Sequence, residues 1–106
     1  MKRDQEIYNS IGKILNKNKL KDSDKILFYI KYLNSQRNVC ETGVFAKNED
    51  DKESQITLSE DDSTEIHTCA DELYEYFKNN NLPDWNGLSF ILDLKTDQYD
   101  IDFIDE

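Results

Sequence analysis

The chain has 106 residues, 37% of them hydrophobic, and its 23 acidic against 13 basic side chains give a formal net charge of −10. This length predicts a single domain over residues 1–106 that is large enough to bury a core. The acidic excess disfavours contact with phosphate backbones, which need basic side chains, so we expect no nucleic-acid partner.

The charge is divided unequally along the chain. Residues 1–48 carry ten Lys and Arg against five Asp and Glu, a balance of +5, whereas residues 49–106 carry three Lys against eighteen acids, a balance of −15. A small domain needs a net charge of only about 2–8 to stay soluble. The excess predicts a basic protein partner, such as a nuclease whose surface is built to hold nucleic acid.

The first element that the pattern predicts is an amphipathic helix at residues 5–16, where Ile7 and Ile11 begin an apolar stripe at helical spacing. A polar linker follows at residues 17–24. Residues 26–33 combine aromatic and β-branched side chains in a run too short for a typical helix, which predicts a central strand.

Two more strands are expected before the next helix. Turn-forming residues at 34–38 lead to a second strand at residues 39–47, with Gly43 as the candidate position for a bulge. An acidic turn at residues 48–52 leads to a short third strand at residues 55–58.

The helical period returns at residues 61–79, which predicts a second helix whose apolar face includes Ile66 and Leu73. Acidic residues at a helix start favour the positive end of the dipole and cap free N–H groups. Four acids stand at this start: Glu60, Asp61, Asp62 and Glu65. Two interpretations of them stay open, a structural role at the helix end and a place in a partner-binding surface.

The C-terminal hairpin has the most regular alternation in the chain. In residues 88–94 and 99–103 every second side chain is apolar and is assigned to the core, with a turn at residues 96–97. Matching the two apolar faces places Asp93 opposite Asp100. Like charges in that position are destabilising by up to about 1 kcal/mol, so stability alone does not explain the pair.

The outer face of this hairpin is the predicted partner-binding surface. Its acids would supply charge for steering around two apolar anchors, Ile91 and Ile104. The alternative is an ordinary solvated sheet face. The complete set of candidate partner-binding residues is Asp93, Asp100, Asp102, Ile91, Ile104, Asp105, Glu106, Glu60, Asp61 and Asp62.

The sequence offers little support for catalysis. One His, three Gly without a Gly-rich loop and two Cys without zinc-binding spacing supply neither a nucleophile with its base nor a metal shell. We therefore expect no catalytic residues, cofactor or metal, and two reduced, mostly buried thiols at Cys40 and Cys69. Trp85 is expected to anchor the core or a loop. No apolar signal region or membrane-spanning run is visible, so we expect a cytoplasmic protein without a membrane partner.

Several stretches resemble the YezG-type immunity and antitoxin family. They are residues 7–15, the strand stretch 25–29, the helical stretch 72–75, and Trp85 followed by the hairpin at 88–103. The resemblance spans nearly the whole chain. It implies a small cytoplasmic protein that neutralises a toxin domain, often a nuclease, by stoichiometric binding.

The pattern and the resemblance together predict an α+β fold. An antiparallel sheet of about five strands should carry two helices on one face, in the order α-β-β-β-α-β-β. The predicted function is non-enzymatic inhibition of a basic toxin domain, with a nuclease as the leading candidate. Two alternatives stay open, an acidic mimic of nucleic acid that inhibits a DNA-binding protein and a carboxylate-based hydrolase.

Overall fold

The computed structural model describes residues 3–34, 36 and 39–105. The elements in chain order are α1 Asp4–Lys17, β1 Lys25–Tyr32, β2 Cys40–Lys47, β3 Glu53–Gln55, α2 Glu60–Asn79, β4 Gly87–Asp93 and β5 Gln98–Ile104. The strands form one sheet in the order β3-β2-β1-β4-β5, and every neighbouring pair is antiparallel. The predicted α+β fold and its order of elements are confirmed.

Both helices cover the same face of the sheet, because the apolar stripe of each helix and one set of alternating strand residues form a single core. The sheet contributes Ile26, Phe28, Ile30, Val44, Leu88 and Phe90, and the helices contribute Ile7, Ile11, Leu15, Ile66, Ala70 and Leu73. All of these side chains are at most 5% exposed. Burial of this apolar surface is the main force that holds the helices on the sheet.

Trp85 lies in the loop before β4 and is 2% exposed. Its ring contacts four other aromatic rings at centroid distances between 5.4 and 6.3 Å: Tyr32, Tyr74, Phe77 and Phe103. The tilted and edge-on geometries are those that aromatic pairs prefer. Trp85 therefore anchors α2 and β5 to the sheet, which confirms its prediction as a core residue.

Asp62 joins the two helices. Its backbone N–H donates to the Ser59 side chain at 3.1 Å, which caps the start of α2. Its carboxylate, on a residue that is 5% exposed, accepts hydrogen bonds from Lys17 Nζ at 2.7 Å and from Asn18 Nδ2 at 3.1 Å. The bond from Lys17, and then the bond from Asn18, hold the pKa of Asp62 below its ordinary value. The sequence left two interpretations of the acids at the start of α2, a structural role and a place in a partner-binding surface. For Asp62, these contacts support the structural role.

The predicted register of the C-terminal hairpin is wrong by two residues. Asp93 lies opposite Gln98, and Asp100 lies opposite Ile91. The cause is the turn, which spans the four residues 94–97 and is closed by a hydrogen bond from the Asp97 N–H to the Asp93 carbonyl at 2.9 Å. A shift of two residues preserves the alternation of a strand, so every side chain keeps its predicted face.

Three smaller predictions about the second and third strands are also wrong. Gly43 pairs directly with Tyr29 in an unbroken register, so it does not mark a bulge. Cys40 is exposed, whereas Cys69 is buried as expected, and both thiols are free. The third strand is shorter and earlier than predicted, because the pairing with β2 ends at the bond from the Ile56 N–H to the Val44 carbonyl at 2.8 Å, before residues 57 and 58.

Candidate protein-binding surface

The sheet face opposite the helices is open to solvent, and we call it the open face. It is formed by the strand side chains that alternate with the core residues. The strand pairings arrange these side chains in rows that cross the sheet. The chemistry of the open face follows from the composition of these rows.

Two inner rows hold the apolar side chains of the open face. From β3 to β5, the first row is Gln55, Phe45, Leu27, Ile91 and Asp100. The second row runs from β2 to β5 as Gly43, Tyr29, Ser89 and Asp102. We call Phe45, Leu27, Tyr29 and Ile91 the apolar band. All four are partly exposed, and none of them belongs to the core cluster or to the partly buried side chains that pack against it.

Two outer rows hold charged side chains that are balanced across the strands. The rows are Glu53, Lys47, Lys25, Asp93 and Gln98 on one side, and Glu41, Lys31, Gly87 and Ile104 on the other. Each lysine has an acid directly opposite it on a neighbouring strand, an arrangement that is attractive. The lysines of the open face are therefore compensated within the sheet itself.

Asp100 and Asp102 lack such compensation. They lie on the edge strand β5, opposite Ile91 and Ser89, which carry no charge. Within residues 3–34, 36 and 39–105, no salt bridge joins either carboxylate to a Lys or Arg. Both belong to the inner rows that contain the apolar band. The open face therefore has an apolar centre and one negatively charged edge.

Gly43 makes room for two aromatic rings in the apolar band. The rings of Tyr29 and Phe45 are parallel to within 2°, and their centroids are 6.2 Å apart. A Cβ atom at Gly43 would lie 2.6 Å from Tyr29 Cε1 and 2.8 Å from Phe45 Cε2, which is closer than non-bonded atoms approach. The Tyr29 hydroxyl also donates to the Glu41 carboxylate at 3.2 Å. Because glycine has no side chain, Gly43 allows the rings of Tyr29 and Phe45 to lie side by side on the open face.

The structure brings together half of the predicted partner-binding residues. Asp93, Asp100, Asp102, Ile91 and Ile104 all lie on the open face. Their pairing differs from the prediction, because Asp93 lies opposite Lys25 on its β1 side and opposite Gln98 on its β5 side. The uncompensated pair is therefore Asp100 with Asp102, and Asp93 belongs to a balanced row.

The remaining candidates lie elsewhere. Glu60 and Asp61 are exposed in the first turn of α2, on the opposite side of the sheet, and Asp62 is buried between the helices. Asp105 is exposed directly after β5, and Glu106 lies outside the described residues. A role of any of these residues in partner binding stays a prediction.

Sequence reasoning missed Leu27, Tyr29 and Phe45 as members of the surface. The run at residues 26–33 is apolar at almost every position, which is the pattern of a strand buried on both faces. Which of its two alternating sets faces solvent depends on where the helices pack. The local pattern does not show which strands pair with β1. The pairing of Leu27 with Ile91, which places both side chains on the open face, is visible only in the structure.

A cavity of about 400 Å³ lies elsewhere, between the α1–β1 linker and the β2–β3 turn. It is lined by Asp22, Ser23, Asp24, Asn48, Glu49 and Asp50. Asp24 is paired with Lys95 at 3.6 Å. No three His, Cys, Asp or Glu side chains of the described ranges are grouped so as to hold a metal ion. The acids that line this cavity are the carboxylates that the hydrolase alternative would use.

No helix of the described ranges is long and apolar enough to cross a membrane.

Comparison with known proteins supplies the family. A search of curated proteins finds no match. The family model described as "Immunity protein YezG-like" matches residues 5–105, a range that includes all five strands, the whole of α2 and all of α1 except its first residue, Asp4. The chain therefore belongs to the YezG-like family of immunity proteins.

Proposed function

We propose that this protein neutralises a basic toxin domain in the cytoplasm by binding it stoichiometrically through the open face, with a nuclease as the leading candidate. Membership of an immunity protein family supports a toxin as the partner. The observation that carries the proposal is the apolar band next to two uncompensated acids, Asp100 and Asp102.

The apolar band has the composition of an interface centre. Tyrosine and other large side chains dominate binding energy when they are central and are surrounded by polar residues that exclude water. On the open face, Tyr29, Phe45, Leu27 and Ile91 occupy the middle rows, and the charged outer rows border them. The outer rows carry their own counter-charges, so a partner need not supply them.

The uncompensated acids determine which partner fits. Asp100 and Asp102, within a chain of net charge −10, attract a positively charged surface and speed its association at low salt. The substrate-binding surface of a nuclease is positively charged, so covering it would block access of nucleic acid. A nucleic-acid mimic would instead need an elongated row of uncompensated acids, and the open face has two such acids beside an apolar centre.

The test first searches the neighbouring reading frames for a basic, nuclease-like toxin domain, and the domain found there is co-expressed or mixed with the purified protein. Phe45→Ala and Ile91→Ala should abolish protection and weaken binding at least tenfold, because each removes part of the apolar band. Leu20→Ala and Leu82→Ala are matched controls, since these side chains are 42% and 41% exposed and lie away from the open face. The controls should protect like the wild type, because exposed side chains contribute little to stability.

Two results would contradict the proposal in different ways. A wild-type protein that neither binds nor protects against the toxin domain would refute the function. Equal protection by the open-face variants and the two controls would keep the function and place the interface elsewhere.

A further inference from the structure

The geometry points to a second mode of contact at the edge of the sheet. We propose that β5 accepts an additional strand from the toxin, an extended segment with basic side chains at every second position. This inference rests on the proposed function, because it names the part of the toxin that meets the sheet. The observations behind it are the free outer edge of β5 and the charge of that strand.

The hydrogen-bonding pattern of β1, β4 and β5 shows which N–H and C=O groups of β5 have no partner strand among the described residues. At the two ends of the β1–β4 pairing, the Tyr32 N–H donates to the Asn86 carbonyl and the Leu94 N–H donates to the Asp24 carbonyl, both at 2.8 Å. Within β4, the even-numbered residues therefore direct their N–H and C=O groups towards β1. Odd-numbered residues of β4 then bond to β5. Their partners on β5 are even-numbered residues, among them Asp100 and Asp102.

The odd-numbered residues of β5 therefore direct their N–H and C=O groups away from the sheet. These residues are Tyr99, Ile101 and Phe103. No other strand of the described residues lies beyond β5, which ends the sheet. None of its seven residues is buried, and Phe103 is 37% exposed. Unpaired backbone groups along an accessible edge are a template for an added strand.

The side chains of β5 select a basic occupant. A strand added at this edge would lie beside Asp100 and Asp102 on the open face and beside Ile101 and Phe103 on the helix face. From residue 96 to the C-terminus the chain has no Lys or Arg. Basic side chains on one face of the added strand and apolar side chains on the other would complement both surroundings.

A second copy of this chain is a poorer occupant of the same edge. Antiparallel pairing of two β5 strands centred on Ile101 would set Asp100 of one copy directly opposite Asp102 of the other. Like charges in that position are destabilising. The two acids thus discourage self-association at the edge while they attract a basic strand.

Residue-resolved hydrogen exchange tests the inference with the same toxin domain in purified form. In the free protein, the amides of Tyr99, Ile101 and Phe103 should exchange rapidly, because they face solvent, and those of Asp100 and Asp102 should exchange slowly. In the complex, exchange at the three odd-numbered amides should slow at least tenfold, with little change at the even-numbered ones.

Failure of the inference is distinguishable from failure of the proposed function. Toxin binding without new protection at the odd-numbered amides would refute the added strand and leave the proposed function standing. Absence of toxin binding to the wild-type protein would refute both.

Ile101→Pro provides an independent measurement. Proline removes an N–H that the β4–β5 ladder does not use, a change that edge strands tolerate. Ile101→Ala is the matched control, because it shortens the side chain and keeps the N–H. Affinity for the toxin domain should be at least tenfold lower for Ile101→Pro than for Ile101→Ala, and equal affinities would overturn the inference. If Ile101→Pro fails to fold, the exchange pattern of the wild-type complex decides.

Discussion

Removal of either uncompensated charge on β5 should have opposite effects on stability and on binding. Asp100→Asn and Asp102→Asn should each raise the free energy of unfolding, because each relieves repulsion within the strand. Each should also slow association with the toxin domain, because a charge complementary to the basic surface that we propose for the toxin is lost. Asp93→Asn should instead lower stability, since Asp93 lies opposite Lys25.

The expected magnitudes follow from the positions of these residues. Asp100 and Asp102 are two residues apart on one strand, a separation of about 6.7 Å along the backbone. In water, two unit charges at that distance repel by about 0.6 kcal/mol, and physiological salt reduces this to about 0.3 kcal/mol. Such a gain raises the melting temperature of a domain of this size by about 1 to 2 °C. The attraction lost in Asp93→Asn is of similar size, about 0.2 to 1 kcal/mol, with the opposite sign.

Urea unfolding measures the stabilities, and stopped-flow mixing with the toxin domain at low and high salt measures association. Asp93→Asn is the matched control, because it changes the net charge by the same amount as the other two variants. At low salt, Asp100→Asn and Asp102→Asn should slow association several-fold, and more than Asp93→Asn does. Equal association rates in all three variants would show that only net charge matters. A loss of stability in Asp100→Asn would refute the repulsion argument.

Two further predictions concern residues off the β5 edge. Gly43→Ala should weaken toxin binding, because its Cβ would lie 2.6 Å from the Tyr29 ring and 2.8 Å from the Phe45 ring and would displace both. Adding Gly43→Ala to Phe45→Ala should cost little further affinity in a binding titration, and full additivity would contradict this account. Asp62→Asn should lower the melting temperature at neutral pH. The pKa of Asp62 is lower in the folded state than in the unfolded state. The ionised carboxylate therefore stabilises the fold above the unfolded-state pKa of about 3.9, and this stabilisation is lost as the pH falls through the folded-state pKa. If the melting temperature of the wild type exceeded that of Asp62→Asn by the same amount at about pH 2 as at neutral pH, the role of the ionised carboxylate would be contradicted.

Local patterns in the sequence were sufficient to predict the order of the elements and, in the C-terminal hairpin, the faces of the side chains. The helical period predicted both helices to within one residue at either end, and the alternation in the hairpin assigned Leu88, Phe90, Tyr99 and Ile101 to the core face. These features depend on residues a few positions apart, because the periods of helices and strands are short. The hairpin register escaped prediction, since it depends on the conformation of the turn at residues 94–97.

By itself, the sequence determined the elements, the acidic character of the C-terminal half and the family to which the chain is similar. The tertiary structure decided which charges are compensated and which apolar side chains share a surface. Both depend on the strand order β3-β2-β1-β4-β5, which places β4 beside β1 and so brings Ile91 next to Leu27 and Asp93 next to Lys25. These partners are more than sixty positions apart in the chain. Cross-strand contacts of that range arise from the packing of the whole sheet, and no local periodicity encodes them.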